Sequence, residues 1–131
     1  MKVLALDYGR ARTGVAVSDA TGTIARPVGT VERAGSEKGL AALVELIRKH
    51  DAECVVVGLP LTLRGTRGEQ AHETEAFIEA LASATRVPVV PFDERFTTNL
   101  AEQMANATAD EDARAAAHLL TSYLAWASAR A

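Results

Sequence analysis

Apolar residues follow two rhythms along this chain, and each change of rhythm marks an element. Val3 to Asp7 is a short apolar run that ends in an acid. Tyr8 to Gly14 reads as a turn, and Val15 to Ser18 resumes the run as a second strand. Asp19 to Gly22 turns again. Ile24 to Val31 is a third strand, placed at a sheet edge by Pro27, whose nitrogen has no proton to give a ladder. Such short connections predict three antiparallel neighbours. Behind Ser36, a residue suited to helix capping, Leu40, Leu43, Val44 and Ile47 recur at helical spacing up to about His50. Cys54 to Pro60 is a continuous, largely β-branched run, as expected of a strand buried on both faces. Leu61 to Gly68 reads as a loop. Glu69 to Ala84 reads as a helix with acids at its positive end and an apolar stripe of Phe77, Ala80, Leu81 and Ala84. Val87 to Phe92 is a further buried strand, with Asp93-Glu94-Arg95 at its end. A helix over 97–105 follows, then a last helix from Asp112 to about Ala127 that buries Ala116, Leu119, Leu120, Tyr123 and Trp126.

Strands that alternate with helices run parallel, so the later strands are predicted parallel. The expected architecture is α/β: a mixed five-stranded sheet, antiparallel in its first three strands, with helices on both faces. A length of 131 residues with 48% hydrophobic content suits one domain, 1–131, with a real core. No apolar run approaches a bilayer-spanning length, and the run at the start is too short for a signal peptide, so a cytoplasmic location without membrane contact is expected. The single cysteine, Cys54, excludes an intramolecular disulfide and reads as a buried inert thiol. One cysteine and three scattered histidines exclude a Cys/His zinc site. A net charge of −3 argues against a broadly basic nucleic-acid coat protein. It leaves room for a local basic strip, because eleven of the fourteen basic residues are arginine, with Arg10 and Arg12 after Asp7, Arg64 and Arg67 in one loop, and Arg95 after two acids.

Ligands of open α/β sheets gather at the carboxyl ends of the parallel strands. Asp7 ends the first strand there, and Asp93 and Glu94 end the last. Asp112 joins them if the final helix packs beside strand one. Converging carboxylates need a cation, and oxygen donors without imidazole or thiol select Mg²⁺ or Mn²⁺. Such a site activates water and polarises a phosphate, while nearby arginines hold the phosphate backbone. Plainer roles compete: an Asx turn at Asp7, ion pairs from Asp93 and Glu94 to Arg95 or Arg12, and an N-cap at Asp112. An acid-ended strand before a glycine turn (Gly9, Gly14) also opens ATP-dependent phosphoryl-transfer domains. Those close two lobes around the nucleotide, whereas 131 residues supply one, and there is no Walker segment. The loop with Arg64, Gly65, Thr66, Arg67 and Gly68 reads either as a phosphate contact before a helix N-terminus or as a solvated connection.

Four segments together resemble the YqgF (RuvX) family of RNase H-like nucleases: Asp7-Tyr8-Gly9-Arg10-Ala11-Arg12-Thr13-Gly14-Val15-Ala16; Val57-Gly58-Leu59-Pro60-Leu61 with Gly65 and Gly68; Asp93-Glu94-Arg95-Phe96-Thr97-Thr98 with Ala101; and Asp112 with Ala115-Ala116, Leu119-Leu120, Tyr123 and Leu124. The resemblance implies an RNase H-like fold and a metal-dependent nuclease. It implies Asp7, Glu94 and Asp112 as catalytic, metal-holding acids, and Arg12, Arg95, Thr97 and Thr98 as supports of the site or the phosphate. With Arg64 and Arg67 these are the expected substrate contacts. The favoured substrate is the 5′ end of precursor 16S rRNA. A four-way DNA junction is the alternative, and it requires a homodimer with two active sites. A catalytically weak RNA-binding module is the alternative of another class. The chain departs from its relatives in the segment 99–111, which is short, lacks Lys and Arg, and ends acidic.

Overall fold

The computed structural model describes residues 1–61, 68–94 and 109–130. Strands β1 (Val3–Asp7), β2 (Arg12–Ser18) and β3 (Ala25–Glu32) lead into helix α1 (Glu37–Lys49), then β4 (Cys54–Leu59), α2 (Glu69–Ala84), β5 (Val89–Asp93) and α3 (Ala109–Ser128). The five strands form one sheet in the order β3-β2-β1-β4-β5. β1 pairs antiparallel with β2 and β2 with β3, whereas β4 runs parallel to both β1 and β5. This is the mixed sheet that the apolar pattern predicts. The helix expected over 97–105 lies outside the described residues.

Two layers cover the sheet. Alternate side chains of a strand point to opposite faces. Leu4, Leu6, Val15, Val55 and Val57 pack against Leu43 and Ile47 of α1 and Phe77 and Leu81 of α2. Val3, Ala5, Ala16, Val56 and Phe92 pack on Ala116, Leu119 and Leu120 of α3. Cys54 belongs to this second face and is buried, which pushes its thiol up and leaves it poorly nucleophilic. Ser36 caps α1 as expected, accepting from the Gly39 amide at 3.0 Å. Pro27 lies on edge strand β3, beside a register shift in its pairing with β2.

Two boundaries and the buried faces of two helices differ from the sequence reading. β2 begins at Arg12, because Thr13 and Gly14 already pair with Val31 and Thr30 of β3 and Gly14 also pairs with Asp7 of β1. The connection after β1 is therefore only Tyr8 to Ala11. α3 begins at Ala109, so Asp112 lies inside the first helical turn and is not a cap. The α2 stripe buries Ala71, Thr74, Phe77 and Leu81, while Ala84 is exposed. On α3, Trp126 is exposed, with the Arg130 guanidinium 4.2 Å above its ring.

Candidate active site

The acid at the end of β1 and the acid beyond β5 meet across β4. Strands two places apart in a sheet are separated by about 9–10 Å, too far for two aspartates to touch. Glutamate supplies the extra methylene, and Gly58 of β4 supplies the passage. A Cβ at Gly58 would lie 2.6 Å from Glu94 Oε1 and 3.0 Å from its Cγ. The missing side chain lets Glu94 lie over β4 and share a hydrogen bond with Asp7. Burial raises both carboxyls, Asp7 to about 6 and Glu94 to about 7. For Glu94 the Asp7 charge and the shared hydrogen bond raise it further, while for Asp7 that bond acts downward and the Asp112 charge upward. Burial and the mutual charge thus favour a protonated form of this hydrogen-bonded pair.

Asp112 reaches this neighbourhood through a second glycine. A Cβ at Gly14 would lie 1.9 Å from the Asp112 carbonyl oxygen, so only glycine lets the first turn of α3 press against β2. Gly14 is the ladder partner of Asp7, which places Asp112 next to the acid pair. Its carboxylate is held by Arg12, Nε to Oδ2 at 2.8 Å. The ion pair open to Arg12 in the sequence thus forms with Asp112. Among the described residues no three acidic, imidazole or thiol groups stand together as ligands of one ion. Asp112 stands close enough to Asp7 for its charge to raise that carboxyl. The Asp7–Glu94 pair does fit a hard divalent cation: two oxygen donors, partly buried, whose shared proton an ion would replace.

A cleft of about 510 Å³ opens over the pair. Asp7 and Glu94 line it together with Tyr8, Gly9 and Arg10 of the turn, Pro60 after β4, and Glu69, Gln70, Glu73 and Thr74 of α2. Thr13 Oγ1 bonds both the amide and the carbonyl of Gly9 at 3.4 Å, which ties the turn to β2. Tyr8 stacks on Phe77 with ring centroids 4.4 Å apart, which fixes the turn against α2.

A family profile described as RuvX, Holliday junction resolvase, matches residues 1–126. The chain belongs to the RuvX family. Among RuvX relatives, a protein of Chloroflexus aurantiacus named "Putative pre-16S rRNA nuclease" is 48% identical over 102 residues, 78% of this chain and 67% of its own length. One of the same name from Thermoanaerobacter pseudethanolicus is 34% identical over 110 residues, 84% and 79% of the two chains. The fold is also that of T. thermophilus RuvC solved in complex with a Holliday junction substrate. The TM-score is 0.62 at 19% identity, covering 98% of this chain and 96% of that one. The fowlpox virus Holliday junction resolvase superposes with a TM-score of 0.53 at 12% identity over 97% and 99% of the two chains. The fold of this RuvX protein is accordingly RNase H-like.

Of the residues singled out in the RuvX sequence, Asp7, Glu94, Asp112 and Arg12 come together at one end of the sheet. Arg64, Arg67, Arg95, Thr97 and Thr98 lie outside the described residues. His72 and His118 are exposed on helices. Sequence reasoning passed over four contributors. Gly58 and Gly14 stood in the motifs, but only the strand order shows what their missing side chains admit. Arg10 and Glu73 are paired across the cleft, and nothing in their sequence separation announces it.

Proposed function

We propose that this RuvX protein hydrolyses phosphodiester bonds in structured nucleic acid, at the Asp7–Glu94 pair, with the 5′ end of precursor 16S rRNA as substrate. The observation that carries the reading is the pair itself. Two buried, hydrogen-bonded carboxyls meet at the carboxyl end of parallel strands and line an open cleft, in a chain 48% identical over 102 residues to a relative named for that activity. A nucleic-acid substrate and a cytoplasmic site of action are parts of the same proposal.

A divalent ion, Mg²⁺ or Mn²⁺, would be held by Asp7 and Glu94, with Asp112 joining if it leaves Arg12. When bound, such an ion supplies Lewis-acid polarisation and a more acidic water. The chain supplies the rest. With the ion in place of their shared proton, Asp7 and Glu94 would be carboxylates, and an oxygen of the pair not engaged by the ion could accept a proton from an incoming water. Arg12, if Asp112 gives it up, is positioned for a phosphate oxygen, and bidentate guanidinium contacts favour that geometry. Arg64, Arg67, Arg95, Thr97 and Thr98 are proposed as further backbone contacts. The acids at the start of α3 are better placed to hold a cation or Arg12 than to bind a polyanion, so the grip on substrate falls to the arginines.

The test is cleavage of labelled 5′-extended 16S precursor RNA, with a labelled four-way DNA junction alongside, in Mn²⁺, Mg²⁺ and EDTA. Metal-dependent cutting of the RNA is the expected result. Preferred cutting of the junction would replace the substrate, and would require a dimer. Binding without cutting would reduce the protein to an RNA-binding module.

A further inference from the structure

Among the described residues, two contacts of different character tie the walls of the cleft. The Tyr8–Phe77 stack is half in the core, since Phe77 is only 3% exposed. The ion pair between Arg10 and Glu73 is not. Arg10 Nε donates to Glu73 Oε2 at 2.9 Å and its Nη2 donates to Oε1, while the two side chains are 73% and 31% exposed. Both residues line the cleft with Asp7 and Glu94. Arg10 is the one cation among the described lining residues, facing the carboxylates of Asp7, Glu69, Glu73 and Glu94. A guanidinium engages one oxyanion bidentately at a time, carboxylate or phosphate. An exposed ion pair is weak enough to be exchanged. The stack leaves the turn in place when the pair opens, because it does not depend on Arg10.

We propose that Arg10 binds a substrate phosphate in the cleft and that Glu73 is the resident anion which that phosphate must displace. The inference rests on the nucleic-acid reading of the same site. Its consequence is selectivity. Competition from Glu73 weakens capture of any lone phosphodiester, so stable binding needs further contacts that only a larger, structured substrate supplies. Glu73 sets this threshold without touching the reacting atoms.

The probe is a fluorescein-labelled RNA hairpin with a single-stranded 5′ extension, titrated in EDTA from 50 to 200 mM KCl as orders of salt concentration at which phosphate contacts separate. Wild type is compared with Glu73→Gln, Arg10→Ala, Arg10→Lys and the Arg10→Ala/Glu73→Gln double variant. Glu73→Gln is expected to tighten binding about three- to tenfold and to steepen the slope of log K against log salt by about 0.7–0.9, one added phosphate contact. Arg10→Ala is expected to weaken wild-type binding and to abolish the Glu73→Gln gain in the double variant, with Arg10→Lys intermediate. In cleavage, Glu73→Gln lowers KM with little change in kcat. A Glu73→Gln protein that binds no tighter, or that loses affinity in step with Tm, would show a structural tie only and overturn the proposal. A wild type that binds no nucleic acid at all would overturn the proposed function, and this inference with it.

Discussion

Asp7 has been moved by its surroundings further from an ordinary surface acid than its place in a turn motif suggests. It is pushed up to about 6 by burial, and it is neighboured by Glu94 and Asp112. Removing its charge while keeping its shape tests its role. Asp7→Asn is expected to lower the single-turnover rate at least about 10²-fold, the scale for loss of an electrostatic catalytic group. A rate near wild type would dismiss the pair as the reaction centre. Gly58→Ala tests the geometry independently. The new methyl meets a flexible side chain, not backbone, so Glu94 must swing away. Cleavage is expected to fall by about tenfold or more while Tm moves by only a few degrees, because the methyl displaces a movable side chain and leaves the sheet intact. At this scale the sequence was legible for the acids, since an acid closing a buried strand needs a partner. The partner itself was not legible. That Glu94 crosses to Asp7 depends on β4 lying between them and on glycine at 58, both properties of the strand order.

Between elements the decisive joint is α3 against β2. Gly14 admits a backbone carbonyl, which has nowhere to retreat, so Gly14→Ala should behave unlike Gly58→Ala. Overpacking there is expected to destabilise by about 1–3 kcal/mol or to shift the first turn of α3 outward. Chemical denaturation reports the first outcome. Weakened contact between Arg12 and Asp112, seen as lost activity at full stability, reports the second. Equal Tm and equal activity would mean that α3 does not press on β2 as described. The elements themselves were largely readable. Strand-period and helix-period apolar patterns are local, and Ser36, Pro27 and the valines of β4 each acted as elementary chemistry dictates. The start of β2 was not, because Arg12 and Thr13 look like turn residues until their ladder partners Glu32 and Val31 are in place. The start of α3 was missed because Asp112 reads as a cap, whereas the helix begins at Ala109.

For the molecule as a whole, the acid pair makes folding a function of pH. Asp7 and Glu94 are raised from 3.8 and 4.5 to about 6 and about 7. Across that window the folded chain binds protons that the unfolded chain has released, so stability falls as pH rises from about 4 to about 7. Thermal unfolding in EDTA should show this decline, and Asp7→Asn should flatten it. Mn²⁺ should raise Tm more at pH 8 than at pH 5, because ligation requires the deprotonated pair. A Tm independent of pH in both proteins would contradict the burial of the pair. The strand order has one more consequence, in time. β1 is made first yet lies in the middle of the sheet, between β2 and β4. Asp7 waits for its partner until Glu94 has been translated, a delay of roughly 4–20 s at ordinary elongation rates. α3, which brings Asp112, comes later still. A nascent chain therefore carries Asp7 through the synthesis of the remaining four strands before Glu94 can meet it, and Asp112 reaches the pair only as α3 docks on β2.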